Sequence, residues 1–291
     1  MDRAPVTHCV PSTARRCNAS TKMLPSALAH VDHLAAHGQR LAIFLDYDGT
    51  LTPIVARPEL AELSDSTREV LRELARYLPV AILSGRDLND LCERVRIDNI
   101  VYAGSHGFDI SGPSGLHKQV VPEFVPILDA AEKELQRELA GISGALLERK
   151  RFSIAAHYRN VKEGEVSKIE RAVNEVATRY PKLRKIDNKK VYELQPDVDW
   201  NKGKAVIWLL ERLNWPEAFS IYIGDDLTDE DAFRAVRQSG VGIIVSEQPQ
   251  STAARYALKN SAEVERFLHE LVARLPGSRK SVIGVRRDQR S

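Results

Sequence analysis

The sequence predicts an α/β fold in which a parallel sheet forms the core and a smaller α+β domain is inserted into that core. Two observations support this fold class. Short apolar runs alternate with amphipathic helical patterns up to residue 112, and the same alternation returns after residue 197. Between these segments, two runs of strand type are separated by only Lys150 and Arg151, a gap that is typical of a hairpin.

The composition is that of an ordinary globular protein, with 291 residues, of which 43% are hydrophobic and 28% charged. The net charge of +2 gives no reason to expect a nucleic-acid partner. No stretch reaches the ~18 continuous apolar residues of a membrane helix, so no membrane partner is expected. The three cysteines form no CxxC pair, which favours a reducing, cytoplasmic location.

Both ends of the chain differ in composition from the rest. Residues 1–34 contain scattered Ser, Thr and Pro and lack the apolar core of a signal peptide, so we expect a disordered extension. Residues 276–291 are basic and contain glycine, which predicts a flexible, solvated tail.

The first predicted strand is the apolar run Leu41–Leu45, which ends at Asp46, Tyr47 and Asp48. Because strand side chains alternate with a period of two, Asp46 and Asp48 should leave the strand on one side. Two carboxylates at the end of a buried strand are costly unless they bind a cation or share a proton. Considered alone, the motif is equally consistent with a simple surface turn.

The next elements continue the alternation of helices and strands. Ser66 is expected to open a helix, with Glu69 completing a capping box. The remaining elements of this segment are a strand over 79–83 that ends at Ser84, a helix over 87–95 and a strand over 99–107. Such strand–helix–strand units imply a parallel sheet with right-handed crossovers.

The inserted α+β domain is assigned to residues 113–196, between core segments 35–112 and 197–275. A Gly- and Pro-rich stretch over 108–119 predicts a linker or a small hairpin. The expected elements that follow are a helix over 127–139, strands over 144–149 and 152–158, a helix over 166–180 and a strand over 190–196. Locally paired strands interrupted by two helices are typical of an α+β layer.

After residue 197 the α/β pattern returns. The expected elements are a helix over 202–213, a strand over 218–224, a helix over 229–236, a strand over 241–245 and a helix over 262–275. The strand over 218–224 ends at Asp225 and Asp226, so a second acidic pair follows a buried strand.

Polar side chains stand at four points that this topology would bring to one edge of the sheet, where α/β proteins bind ligands. They are Asp46 with Asp48, Ser84, Lys202, and Asp225 with Asp226 and Asp229. Taken singly, each has a structural explanation as a turn, a solvated lysine or a helix cap. Together they form the set of groups that phosphoryl transfer requires.

The order and spacing of these motifs resemble those of the haloacid dehalogenase superfamily of phosphatases. Within it, the local sequences are similar to those of the trehalose-6-phosphate phosphatase family. The matching stretches are LDYDGTLTPI, VAILSGR, YAGSHG, HYR, YELQP, KGKAV and GDDLTDED. The resemblance covers roughly residues 40–275 and implies a Rossmann-like core with an α+β cap inserted between the second and third motifs.

The resemblance implies a role for each core motif. Asp46 would be the nucleophile that forms an aspartyl-phosphate, and Asp48 the general acid and then the general base. Ser84 would donate a hydrogen bond to phosphate, and Lys202 would stabilise the negative charge of the transition state. Gly49 and Thr50 would let backbone N–H groups point at the phosphate.

The candidate metal ligands are hard oxygens, which favour Mg²⁺ as the cofactor. They are Asp46, the backbone carbonyl of Asp48, and Asp225. Asp229 follows one helical turn after Asp225 and is expected to reach the metal through water or to hold Lys202. No His/Cys set has the spacing of a zinc site.

Substrate choice would come mainly from the cap, because removal of a phosphate is chemically the same for any sugar. The candidate substrate-binding residues, beyond Gly49 and Thr50, are Arg86, His106, Arg151, His157, Arg159, Lys189, Lys190 and Glu193. Solvation is the alternative for Arg151 and Lys190, and hinge packing is the alternative for His106.

The resemblance therefore implies a phosphatase that hydrolyses trehalose 6-phosphate, the last step of trehalose biosynthesis. Another sugar phosphatase of the same fold, for example one acting on sucrose phosphate, is the nearest alternative. A binding module without activity is disfavoured because Asp46, Asp48, Lys202 and Asp225 are all retained. Functional pairing with a separate trehalose-phosphate synthase is compatible with the chain.

Overall fold

The structure is a computed structural model that describes residues 23–55, 57–188 and 190–276. The expected disorder of residues 1–22, nearly all of the predicted tail and the prediction for Lys189 lie outside the described residues. No helix in these ranges combines the length and apolar character needed to span a bilayer.

The described residues form twelve strands and eight α-helices. The strands are β1 (Leu41–Leu45), β2 (Val80–Leu83), β3 (Val101–Gly104), β4 (Asp109–Gly112), β5 (Leu116–Gln119), β6 (Leu146–Lys150), β7 (Ser153–His157), β8 (Leu183–Asn188), β9 (Val191–Pro196), β10 (Phe219–Gly224), β11 (Gly240–Val245) and β12 (Tyr256–Leu258). The helices are α1 (Val31–Ala35), α2 (Asp65–Leu74), α3 (Leu88–Val95), α4 (Val125–Leu139), α5 (Val166–Arg179), α6 (Lys202–Arg212), α7 (Glu230–Val236) and α8 (Ser261–Arg274).

Eight strands form one large sheet in the order β12-β11-β10-β1-β2-β3-β4-β5. The pairs from β12 to β3 are parallel, and only the β3–β4 and β4–β5 pairs are antiparallel. The other four strands form an antiparallel sheet in the order β6-β7-β9-β8. The predicted α/β fold with a parallel core sheet and an inserted α+β portion is therefore confirmed.

Strand β1 lies near the centre of the large sheet, and its alternate side chains pack into two separate apolar cores, one on each face. Ile43 and Leu45 pack with helices α2, α3 and α8 on one face. Phe44 packs on the other face with side chains of α6 and α7. Leu45 pairs with Ile223 of β10 and with Ile82 of β2, so the carboxyl ends of the three central strands lie side by side.

The four-stranded sheet has its own apolar core, formed with helices α4 and α5. Leu128, Leu135, Val173 and Val176 from these helices are fully buried there. The spacing of seven residues in α4 and of three in α5 places these side chains on one face of each helix.

The assignment of residues 1–34 to a disordered extension is wrong for its described part. Ala27, Val31 and Leu34 are buried, at helical spacing, in the same core as β1. Ser26 also forms a β-bridge with Ala257 beside β12. A short amphipathic pattern over residues 28–41 leads into β1, and its apolar face makes this segment part of the core.

Helix α2 begins earlier than predicted, because Ser64 rather than Ser66 caps it. The Ser64 hydroxyl oxygen accepts a hydrogen bond from the Thr67 N–H at 3.0 Å. Ser66 instead donates to Glu265 of α8 at 2.6 Å. Ser64 also donates to Glu265, at 3.2 Å, so both serines contact α8 and only Ser64 caps α2.

The predicted boundary of the inserted domain at residue 113 needs correction. Strand β5 pairs with β4 in the large sheet, so residues 116–119 belong to the core sheet. The stretch over 108–119 is thus a hairpin, one of the two options that its composition left open. Strands β8 and β12 were not predicted, because β8 is rich in charge and β12 has only three residues.

Candidate active site

Asp46 follows β1 directly and lies at the carboxyl edge of the large sheet. Its N–H donates to the Ile223 carbonyl at 2.9 Å, and the residue is buried. The Lys202 Nζ donates to Asp46 Oδ1 at 2.5 Å. Burial raises the pKa of Asp46 well above its ordinary value, and the charge of Lys202 is the largest opposing influence. A carboxylate so placed is held in a fixed position beside a single cation.

Lys202 is the first residue of α6, and Asn201 caps that helix by accepting from the Lys204 N–H at 2.9 Å. The ammonium group is 2% exposed and also donates to Asp229 Oδ1 at 2.7 Å. Burial alone would lower the pKa of Lys202, but the charges of Asp229 and Asp46 raise it above its ordinary value. Lys202 therefore remains a cation between two buried carboxylates.

Asp229 has four hydrogen-bond donors around it and no exposed surface. Its Oδ1 accepts from Lys202 and, at 2.7 Å, from the Tyr222 hydroxyl. Its Oδ2 accepts from the N–H groups of Asp225 and Asp226, both at 3.0 Å. Of the two roles expected for Asp229, the contact with Lys202 is present in the structure.

Asp225 faces the loop that follows β1. Gly49 has a φ of +84°, and a Cβ there would lie 2.2 Å from Asp225 Oδ2, so only glycine fits. Asp225 Oδ1 is buried and has no hydrogen-bond partner among the described residues. Burial, followed by the charges of Asp229 and Asp226, raises the pKa of Asp225 to about 7. The charge of Lys202 opposes this shift only in part.

Oxygen atoms of Asp46, Asp225 and Asp229 lie within 4.8 Å of one another. Three carboxylates this close repel one another, and the unpartnered Asp225 oxygen is oriented toward no donor within the described ranges. A divalent cation would offset this repulsion and bind the unpartnered oxygen, so the residues present fit a hard metal ion.

Asp48 is half-exposed, and both of its carboxylate oxygens accept from Arg86. The Arg86 Nε and Nη2 atoms each lie 2.7 Å from one oxygen, and Nη1 donates to Asp90 at 2.7 Å. The guanidinium lies 5.3 Å from the centre of the Tyr47 ring. Arg86 lines the cavity with its charge shared between two carboxylates, and its contact with substrate stays a prediction.

Ser84 and His106 are linked at the ends of β2 and β3. The Ser84 hydroxyl oxygen accepts from the Arg86 N–H at 3.2 Å, and the Ser84 carbonyl accepts from the His106 N–H at 2.8 Å. His106 has a φ of 58°, in the left-handed region. This turn places the imidazole ring against Gly85, where an added Cβ would meet it at 2.8 Å.

These groups open into one cavity of about 390 Å³ between the large sheet and the four-stranded sheet. That volume suits a small-molecule ligand. The predicted site residues that line the cavity are Asp46, Asp48, Ser84, Arg86, His106, His157, Arg159, Lys190, Glu193, Lys202 and Asp225. Gly49, Thr50, Arg151 and Asp229 are not among its lining residues.

Glu193 of β9 is the most buried acid on the far wall of the cavity. Its Oε1 accepts from Ser153 at 2.6 Å and from Lys150 at 3.2 Å, and His106 Nε2 lies 3.6 Å from Oε2. Burial alone would raise the pKa of Glu193, but Lys150 and His106 lower it well below its ordinary value. A buried, ionised carboxylate beside a cavity is a strong acceptor for hydroxyl groups.

Glu148 and Lys150 line the cavity but were absent from the predicted set. They lie two residues apart on β6, so both side chains face the same side as that of Leu146. Glu148 Oε2, a carboxylate oxygen, accepts a hydrogen bond from His157 Nε2 on the neighbouring strand at 2.8 Å. Alternation along the predicted strand over 144–149 is the signal that could have found Glu148.

Arg151, predicted to contact the sugar, lies outside the cavity. It stands at the turn after β6, and its N–H donates to Asp87 Oδ2 of the core at 3.0 Å. The turn breaks the alternation of β6, so Arg151 leaves the face occupied by Lys150. Arg151 is thus not brought together with the other predicted substrate-binding residues in this structure, and its contact with the sugar stays a prediction.

The fold, with its acidic pocket at the carboxyl edge of the sheet, is that of haloacid dehalogenase-like proteins. A haloacid dehalogenase-like hydrolase from Bacteroides thetaiotaomicron superposes with a TM-score of 0.58, covering 79% of this chain and 98% of that one at 18% identity. The C-terminal domain of Candida albicans trehalose-6-phosphate phosphatase gives a TM-score of 0.76, with 88% and 99% coverage at 22% identity. At these identities, the likeness concerns the fold.

Sequence similarity identifies the family within this class. The model of the trehalose-phosphatase family matches residues 44–262. Trehalose 6-phosphate phosphatase RA3 of Zea mays is 40% identical over 268 residues, covering 85% of this chain and 74% of the relative. Probable trehalose-phosphate phosphatase D of Arabidopsis thaliana is 41% identical over 265 residues, covering 85% and 72%. The chain belongs to the trehalose-phosphatase family.

Proposed function

We propose that this chain hydrolyses trehalose 6-phosphate to trehalose and inorganic phosphate through an aspartyl-phosphate on Asp46. The observation that carries the proposal is the placement of Asp46. It is buried, paired with Lys202 at 2.5 Å, and opens into a cavity whose far wall carries Glu193 and Lys150. Family membership and the names of the relatives support the choice of substrate.

In the first step, an Asp46 carboxylate oxygen forms a bond to phosphorus while the bond from phosphorus to the sugar oxygen breaks. Asp48, in its protonated form, supplies a proton to that leaving oxygen. Lys202 offsets the negative charge that builds up around phosphorus, and Ser84 and backbone N–H groups near Gly49 and Thr50 bind the phosphate oxygens.

In the second step, water attacks the phosphorus of the aspartyl-phosphate, and Asp48 accepts the proton that the water loses. Both Asp48 oxygens act as hydrogen-bond acceptors toward Arg86, which orients the carboxylate. The bond between phosphorus and Asp46 breaks, so phosphate leaves and the carboxylate is restored.

Mg²⁺ is the cation that we propose for the cluster, held by Asp46, the backbone carbonyl of Asp48, and Asp225. When bound, it supplies positive charge that reduces the repulsion between Asp46 and the phosphate. Asp229 contributes by holding Lys202, and any contact of Asp229 with the cation would pass through water.

The two glucose rings would contact the wall formed by β6, β7 and β9. Glu193 and Glu148 accept hydrogen bonds from sugar hydroxyls, and Lys150 donates to them. The remaining polar groups on this wall are His106, His157, Arg159 and Lys190, which line the same cavity. Lys189, also predicted to bind substrate, lies outside the described residues.

Phosphate release from a panel of sugar phosphates tests the proposal. We expect turnover of trehalose 6-phosphate to exceed that of glucose 6-phosphate and sucrose 6-phosphate by about 100-fold, since only a matching sugar satisfies the buried polar wall. EDTA should abolish activity and added Mg²⁺ should restore it. Asp46→Asn serves as the inactive control. Comparable rates on all three sugars would refute the choice of substrate.

A further inference from the structure

The turn between β6 and β7 contacts the core sheet through Arg151. The backbone N–H of Arg151 donates to Asp87 Oδ2 at 3.0 Å. The other Asp87 oxygen accepts from the Asn89 N–H at 3.0 Å, as the N-cap of α3. One aspartate thus joins the start of a core helix to the tip of the inserted hairpin.

The side chain of Arg151 makes a second contact with the core, on the β4–β5 hairpin. In the amide orientation that satisfies both groups, the Gln119 carbonyl oxygen accepts from Arg151 Nε at 2.9 Å and from Nη2 at 3.1 Å. Arg151 Nε also lies 3.8 Å from Asp109 Oδ2. Two strands of the large sheet therefore meet this one side chain.

Asp109 shows that this contact is more than a surface ion pair. The residue is buried, and its Oδ1 has no hydrogen-bond partner within the described part of the chain. Burial raises the pKa of Asp109, and the charge of Arg151 is the largest influence against that shift. Exposed pairs contribute little to stability, whereas a buried acid that loses a facing cation is costly. His117 Nε2, 3.9 Å from Asp109 Oδ1, is the other basic group beside this acid.

The position of Lys150, the residue before Arg151, depends on where this turn lies. Its Nζ lies 3.2 Å from Glu193 Oε1 and lines the cavity. A displacement of the turn would move Lys150 with it, and errors of about 1 Å in the position of binding groups are known to be costly to catalysis.

We propose that Arg151 is a positioning residue that docks the inserted domain on the core and thereby places Lys150 and Glu193 at the distance from Asp46 that the sugar requires. The contacts of Arg151 with Asp87, Asp109 and Gln119 are the structural basis of this role. Its expected effect on kinetics rests on the proposed function.

Kinetics with two substrates test the proposal. Arg151→Ala should raise KM for trehalose 6-phosphate about 5- to 10-fold, the loss expected from weakened binding contacts. The kcat/KM for p-nitrophenyl phosphate should change less than about twofold, because this substrate reaches the phosphate site without engaging the sugar wall. Arg151→Lys retains the charge facing Asp109 and should recover part of the affinity.

Lys168→Ala is the matched control, since Lys168 is an exposed cation of the inserted domain whose partner is Glu165, three residues away on the same surface. It should leave both substrates unaffected. An equal loss for both substrates in Arg151→Ala, or no change in KM for trehalose 6-phosphate, would overturn the proposal.

Amide hydrogen exchange separates docking from general destabilisation and from failure of the proposed function. In Arg151→Ala, exchange should accelerate in peptides covering residues 146–153, while peptides from α4 and α5 keep wild-type rates. Uniform acceleration across the inserted domain, or none in the turn, would contradict docking. If the wild-type chain does not hydrolyse trehalose 6-phosphate, the proposed function is refuted, but the hydrogen-exchange test of docking stays valid.

Discussion

Single residues in the active site serve more than one partner, and Asp229 is the clearest case. It accepts from Lys202, Tyr222 and two backbone N–H groups with no surface exposed. Such a fully satisfied network fixes the position of each member in a low-dielectric environment. Asp229 therefore holds Lys202 in contact with Asp46, although its own side chain does not line the cavity.

Tyr222→Phe tests this network by removing one oxygen atom. Removing the hydroxyl leaves Asp229 Oδ1 with Lys202 alone, so the lysine loses part of its fixed orientation toward Asp46. We expect kcat to fall about 5- to 20-fold with KM nearly unchanged, measured as phosphate release. In an Asp229→Asn background, the same change should have a much smaller effect. Equal effects in both backgrounds would show that Tyr222 acts independently of Asp229.

At the scale of elements, the alternating side chains of strand β6 have different roles on its two faces. Glu148 and Lys150 face the cavity, whereas Arg149 between them turns away and donates to Asp129 of α4 at 2.8 Å. The hairpin thus presents one polar face to the ligand and uses the other to hold a helix. The same alternation places Asp46, directly after β1, at the ligand edge, and places the side chains of β1 in two apolar cores.

The paired substitutions Lys150→Ala and Arg149→Ala measure this division. Lys150→Ala should raise KM for trehalose 6-phosphate by about 10-fold or more, since a charged donor to the sugar is lost. Arg149→Ala should change KM by less than about twofold, because its guanidinium contacts α4 rather than the cavity. Similar losses of affinity in both variants would place the sugar elsewhere.

At the scale of the whole molecule, the active site depends on segments that are distant in sequence. Lys202 and Asp46, in contact at 2.5 Å, are separated by 156 positions, with the inserted domain between them. The N-terminal segment also joins this assembly, since Leu34 packs in the core that contains Leu45 of β1. The core under the sheet that carries Asp46 thus includes residues that the prediction had assigned to an extension.

Leu34→Ala tests the contribution of that segment. We expect a loss of about 3 kcal/mol in the free energy of unfolding, because the side chain is fully buried and a cavity would remain. The neighbouring His33→Ala, at an exposed position, should cost less than about 0.5 kcal/mol. Denaturant unfolding of both variants measures the difference, and equal stabilities would mean that the segment contributes little to the core.

Local pattern was sufficient to predict most elements of the fold. Apolar runs and helical stripes correctly indicated β1, β2, β10 and most of the helices, because these elements bury a continuous face. The same signal was weak for β8, whose residues are largely charged, and for β12, which is too short to show a period. Patterns report burial over several residues, so they miss a buried strand as short as β12.

By itself, the sequence determined the chemistry of the site, because motifs such as Asp46-Tyr47-Asp48 depend on local spacing at a strand end. Only the tertiary structure decided which charged groups meet. In the structure Arg86 pairs with Asp48, and Asp229 accepts from Lys202 and Tyr222. Arg151 contacts the core, whereas Lys150 lines the cavity. The physical reason is that the partner of a buried charge is set by three-dimensional packing, which the order of residues along the chain does not reveal.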